Sequence, residues 1–312
     1  MISKKAFVFL VGLVPAVAVA NEFYITSQAA NQLSVFDATG TQIRKTLDVP
    51  AGPAMVVVDP HGKAIYVSHP EQGKISVIDP DSYELMAEIK TGGQPFAMVI
   101  DNQKPQMFVS DWFRNTVLVV NTSSNQLVDL LAVGDSPAGI AIDPVGRQVF
   151  VANRESNSLM VLDADTPALH ATIKTGERPY AVAFNPHNGH VYVACVHDDS
   201  LTVIDSKTYQ KIADLKPGRA PYGVTVSEDG KQFYVVNQND NNLVIFDAES
   251  LQLTTTIKTE KMPESVVLSE DQQYAYVTNW FSNSLSVIDL EKAKQVDAIE
   301  LKEGPRNIAA RP

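Results

Sequence analysis

The chain has 312 residues, 25 basic and 36 acidic, for a formal net charge of −11 at pH 7. Such a surface repels phosphate backbones and anionic lipid, which argues against nucleic acid and membrane surfaces as partners. A single cysteine, Cys195, permits no internal disulfide, and the lack of a CxxCH motif removes covalent c-type haem; no cofactor is demanded by the sequence.

Residues 1–20 read as a cleaved secretory signal. Lys4 and Lys5 give a positive start, "AFVFLVGLVPAVAVA" is apolar but short for a membrane span, and Ala18-Val19-Ala20 supplies a small-x-small cleavage pattern. No cysteine stands at the cleavage point, so no lipid anchor is expected. Without Lys4 and Lys5 the remaining 23 basic residues face 36 acidic ones, a net charge of −13. The expectation is an exported, periplasmic monomer made of residues 21–312.

That mature chain opens on "EFYITS" (22–27), a strand with no partner strand before it. The next unit is complete: "AMVVVD" (54–59), turn "PHGK", "AIYVSH" (64–69), turn "PEQG", "KISVID" (74–79), turn "PDSY", and "ELMAEIKT" (84–91). Alternating β-branched runs between Gly, Pro and Asx turns predict four strands and little helix. The unit then repeats without a slip. Pro53, Pro95, Pro137, Pro179, Pro221, Pro263 and Pro305 are each 42 residues apart, as are the aromatics Tyr24, Tyr66, Phe108, Phe150, Tyr192, Tyr234 and Tyr276. Seven repeats of four antiparallel strands predict an all-β, seven-bladed β-propeller. The first blade is completed by "GPRNIAA" (304–310), which would leave no open sheet edge there.

Tyr276–Asp289 reads "YVTNWFSNSLSVID". With its degenerate copies "YVSH", "FVSD", "FVAN", "YVAC" and "YVVN", it resembles the repeat of the YVTN family of β-propellers over the whole mature chain. The resemblance implies the fold. It says little about activity, because propellers host binding, scaffolding and catalysis alike.

Letters that recur in every copy are architectural, so function is sought where copies differ. The Asn slot of the repeat reads Ser27, His69, Asp111, Asn153, Cys195, Asn237 and Asn279. His69, Asp111 and Cys195, with His197 nearby, are candidate metal ligands; the plainer reading is a turn residue that satisfies backbone groups. Cys195 is three blades from His69, too far to share a metal at roughly 2.0–2.3 Å ligand distances. His69 with Asp111, or Cys195 with His197 and Asp198, stays open. Cys195 itself is expected to be a structural thiol in a surface turn.

The two following slots hold both tryptophans of the chain, as Trp112-Phe113 and Trp280-Phe281. They are either packing or a pair of aromatic walls suited to stacking a sugar, a cofactor ring or a partner's side chain. Residues after the repeat prolines line the pit mouth, among them Phe96, Tyr180, Tyr222, Glu264 and Arg306. Together they suggest a half-apolar concavity for a protein or for a small or oligomeric ligand. Lactonases on similar rings hold calcium through several axial carboxylates and amides, whereas Glu264 is the only acid among these mouth slots. The leading expectation is a non-catalytic binding or scaffold protein. The alternative is an enzyme or enzyme subunit, lactonase-like or serving a quinone- or haem-linked dehydrogenase, with a metal carrier third.

Overall fold

The computed structural model describes residues 22–37, 42–166 and 168–311. The expected signal, residues 1–20, lies outside the described residues. Those described form seven four-stranded antiparallel sheets, each running in chain order from the ring axis outward except the first. There Pro305–Ala310 takes the innermost place, beside Phe23–Ser27, Gln32–Phe36 and Ile43–Asp48. Phe23 pairs with Ala310 and Ile25 with Ile308, so the two ends of the chain close the ring as expected.

The second blade shows how closely pattern became structure: its strands are Val56–Val58, Ile65–His69, Lys74–Ile78 and Leu85–Lys90. The turn "PEQG" winds one turn of 3-10 helix at Pro70–Gln72, since proline's fixed φ suits a first helical residue and Gly73 (φ 58°) can leave it left-handed. No helix among the described residues is long and apolar enough to cross a membrane. The second and third strands are buried on both faces, because each sheet is covered by two neighbours. The repeat aromatic fills each interface: Phe108 packs with Val149, Val151 and Met160 of the next blade. All seven of these rings are at most 3% exposed. Each such burial contributes roughly 2–3 kcal/mol.

Two local devices position the face described below. One is a left-handed slot in the turn after each second strand, occupied by Asn31, Gly73, Asn115, Asn157, Asp199, Asn241 and Asn283, with φ between 49° and 58°. Asn and Asp tolerate this conformation and carry a short acceptor. Their Oδ1 atoms accept a hydrogen bond from the backbone N–H of Gly52, Ser136, Arg178, Ala220, Met262 and Gly304 at 2.8–3.0 Å. The loops of that face are thereby tied to one another.

The other device is a bulge after the repeat proline. Pro179 pairs with Cys195, but Ala181 already pairs with Ala194, leaving Tyr180 unpaired. Glu264 and Arg306 are extra in the same way. A bulge re-aims its side chain, here toward the pit. Hydroxyls of the preceding blade pin several of these residues: Ser68 Oγ donates to the Phe96 carbonyl at 2.8 Å, and Thr278 Oγ1 to that of Arg306 at 3.1 Å.

Candidate functional site: the mouth of the axial pit

The bulged residues cross the mouth of the pit rather than leaving it an open well, and they line the space within it. Arg306, on the closing strand, sends its side chain across the axis. Nη1 donates to Gln28 Oε1 at 2.6 Å, and Nη2 donates to the Tyr180 and Tyr222 hydroxyls at 2.9 and 3.2 Å. The guanidinium also sits over the rings of Phe96 (5.5 Å) and Trp280 (5.6 Å). One side chain therefore joins blades one, three, five, six and seven. Tyr180 and Tyr222 stand in contact, with ring centroids 4.1 Å apart, and Phe96 meets Tyr180 edge-on at 5.8 Å.

Glu264 lies beneath this plug and is 6% exposed. Its Oε1 accepts from Gln238 Nε2 at 3.1 Å, and its Oε2 lies 3.9 Å from Arg306 Nε. Burial pushes the Glu264 carboxyl up to about 7, with Arg306 and then Gln238 pulling the other way. The Tyr222 hydroxyl is pushed well above its ordinary range, chiefly by burial. The mouth therefore holds a fixed cation, two hydroxyls and a carboxyl poised to exchange a proton near neutrality, all within an aromatic frame.

The two Trp-Phe pairs divide into a packed half and a projecting half. Trp112 is half-buried against Phe96 and Tyr180, at 5.4 and 6.4 Å between ring centroids, with the Arg154 guanidinium over its ring at 5.6 Å. Trp280 rests on Gly304, where a Cβ would come within 3.1 Å of the indole. The phenylalanines point outward: Phe113 is 75% exposed and Phe281 68%. Loops following other second strands carry the ion pairs Arg154–Glu155 and Arg219–Asp240, the latter at 2.6 Å, and a His197–Glu177 hydrogen bond at 2.6 Å.

The candidate metal ligands occupy separate environments. Each Asn-slot residue is the last of its second strand and wholly buried, rather than sitting in the turn. His69 Nε2 meets Ser76 Oγ at 3.0 Å, and burial lowers its pKa to about 4. Asp111 Oδ1 accepts backbone N–H groups from Gln94, Phe113 and Arg114. Cys195, expected in a surface turn, is instead 0% exposed; its Sγ is 3.5 Å from the Val193 carbonyl, and burial pushes the thiol up to about 11. The second strand runs one residue further than the turn reading allowed, and this carries the slot inside. Asp198 Oδ1 accepts from Ser200 Oγ at 2.8 Å, and His197 is at the rim with Glu177, so these two do not converge on Cys195. Among the described residues no three His, Cys, Asp or Glu side chains are grouped to hold a metal ion.

Sequence reasoning missed Gln28, which holds Arg306, Gln238, which holds Glu264, and Arg154, which covers Trp112. All three stand in the two slots after the Asn slot, where copies differ most, so the signal was present as variation without direction.

Comparison with known proteins adds a partial family match and several structural likenesses. The model of the cytochrome D1 heme domain family matches residues 145–266, less than half of the chain. No curated protein matches the sequence. Among solved structures, a functionally unknown protein from Desulfotomaculum acetoxidans DSM 771 superposes with a TM-score of 0.83 at 15% identity, covering 93% of this chain and 99% of its own. A putative 6-phosphogluconolactonase from Bacteroides uniformis ATCC 8492 gives 0.80 at 15% identity, with the same coverages. Dihydro-heme d1 dehydrogenase NirN, in complex with DHE, gives 0.72 at 13% identity, covering 93% of this chain and 75% of its own. At these identities the likeness is one of fold.

Proposed function

We propose that this chain is an exported, YVTN-type propeller that acts in the periplasm as a non-catalytic, monomeric binding protein, holding a protein partner on the face that carries Phe113 and Phe281. The observation that supports this reading most is the exposure of those two rings, 75% and 68%, on a rigid rim around a mouth already crossed by Arg306. Water gains nothing from two projecting phenyl groups, whereas aromatic anchors dominate the energetics of interface cores. Trp112 and Trp280 serve as the packed bases of these anchors, which suits a partner that brings its own pockets.

A second reading, an enzyme or enzyme subunit of haem-linked type, is favoured by the family match over residues 145–266, which contains Tyr180, Tyr222 and Glu264. One experiment separates the two. Mature protein, wild type and with Phe113→Ala plus Phe281→Ala, is used as bait in periplasmic extract, and captured proteins are identified by mass spectrometry. The same protein is titrated with haem and followed by its absorption spectrum. The expected result is a partner retained by the wild type and lost by the double variant, with no Soret shift on haem addition. Haem binding with no variant-sensitive partner would replace the first reading with the second.

A further inference from the structure

Beneath the Arg306 plug, on the ring axis, is a cavity of about 160 Å³. Much of its wall is apolar, from Ile140, Val182, Val224 and Val266 on the inner strands and from Met55, which precedes one, with Ser265 and Asn307 also in the lining. Its polar end is made by Glu264 and Arg306. The space exceeds what one buried water requires. Among the described residues Glu264 Oε2 has no hydrogen-bond partner, although the residue is 6% exposed. The nearest charge, Arg306 Nε, is 3.9 Å away, beyond hydrogen-bond length. A buried carboxyl oxygen left in this state costs about 1–3 kcal/mol unless a ligand or water completes it.

The charges select the ligand's sign. A cation drawn to Oε2 would also face the guanidinium, and an alcohol, which can donate to Oε2 and accept from Nε–H, would leave the guanidinium without a counter-charge. We propose that the axial cavity binds a small monocarboxylate, whose carboxylate bridges Arg306 Nε–H and the unpartnered Oε2 end of the Glu264 carboxyl, with its tail against the valine side chains. Arg306 is held for this role by Gln28, Tyr180 and Tyr222. The groups facing the Glu264 carboxyl are Arg306 from the closing strand and Tyr222 from the sixth blade, with the Gln238 amide on its other oxygen. Burial already favours the neutral acid, so a bound anion brings no second uncompensated negative charge. Above neutrality, binding must then take up one proton.

Calorimetric titration of the mature protein with butanoate, hexanoate and benzoate, and with hexanol and hexylamine as controls, tests this. One or more carboxylates should bind, about ten-fold more tightly near pH 6 than near pH 8, as uptake of a single proton at a carboxyl titrating close to 7 requires. Glu264→Gln keeps a neutral donor, so it should still bind, with that ratio falling to about one. Val224→Phe, which fills the cavity from outside the plug, should abolish binding while the protein stays folded by near-UV circular dichroism. Equal binding of the amine or the alcohol, carboxylate binding that survives Val224→Phe, or no binding at millimolar concentration would each overturn the proposal. The rim phenylalanines take no part, so Phe113→Ala with Phe281→Ala should leave this titration unchanged, and failure here leaves the partner-binding reading standing.

Discussion

Replacing Arg306 by Met should loosen the centre of the ring more than any other single change on this face. Methionine keeps most of the aliphatic bulk but removes the hydrogen bonds to Gln28, Tyr180 and Tyr222 and the cation over Phe96 and Trp280. The three acceptors are half-buried and can turn to water, so the net loss is well below the gross bond energies. Two cation–π contacts contribute roughly 0.5–1 kcal/mol each at such sites. Hydrogen bonds to a charged group contribute about 1.5–3 kcal/mol apiece net where the partner is left buried and unpaired, and less here, where the freed acceptors can turn to water. A net cost of about 2–3 kcal/mol follows near pH 5, where Glu264 is neutral with or without its partner. Near pH 8 the variant must also bury Glu264 without a counter-charge or keep it protonated, which raises the cost to about 3–5 kcal/mol. For a ring of this size that difference is a drop of about 5–8 °C in melting temperature at the higher pH. Thermal melts followed by circular dichroism at the two pH values are sufficient. A change under about 0.5 kcal/mol at both, the level of an ordinary surface substitution, would mean that the guanidinium is solvated and that the mouth is not plugged.

Other expectations concern single side chains. Glu264 titrates in the folded protein at about 7 against an ordinary 4.5, so the folded state holds a proton that the unfolded chain releases between those values. Its contribution to stability is therefore complete below about pH 4.5 and is lost as pH rises through 7, a swing on the order of 3 kcal/mol; Glu264→Gln should remove that swing from the difference between melts at pH 5 and pH 8. Cys195 should resist thiol reagents in the folded protein and react fully in denaturant, and Cys195→Ser should cost about 1–2 kcal/mol, because the serine hydroxyl is buried 3.5 Å or more from its nearest acceptors. Asn283 is left-handed (φ 50°) and accepts the Gly304 N–H at 3.0 Å. Asn283→Ala should cost about 1–2 kcal/mol in denaturant melts and Asn283→Gly clearly less, since glycine removes only the acceptor and not the backbone conformation.

The ring was legible in the sequence because a 42-residue period constrains every strand at once, and because "GPRNIAA" supplies the strand that "EFYITS" lacks. The face was legible as a set of slots, and the plug residues Phe96, Tyr180, Tyr222, Glu264 and Arg306 do meet at the mouth. What the slots could not convey was reach. An arginine side chain spans the pit, and whether it points outward or across depends on bulge geometry and on acceptors in other blades, such as Gln28. The Trp-Phe pairs show the same limit: one ring of each pair packs and the other projects, a division set by the local turn rather than by residue type. The recurring Asn does satisfy backbone groups as expected, Asn279 Nδ2 reaching the Val277 and Ser284 carbonyls, but from inside the strand end rather than from the turn. Asn279 is a buried strand-end residue whose Nδ2 donates to Ser286 Oγ at 2.9 Å, while the left-handed tie between loops belongs to Asn283, four residues on.

The binding role proposed for the rim is tested most directly by replacing Phe113 with a photo-crosslinking phenylalanine analogue in the cell that produces the protein. Val145, 83% exposed on the opposite face, serves as the control position. The expected result is one discrete, light-dependent adduct from position 113, containing a single identifiable protein and absent at position 145. Adducts that are equally abundant from both positions, or none from position 113 in protein that is produced and folded, would contradict it.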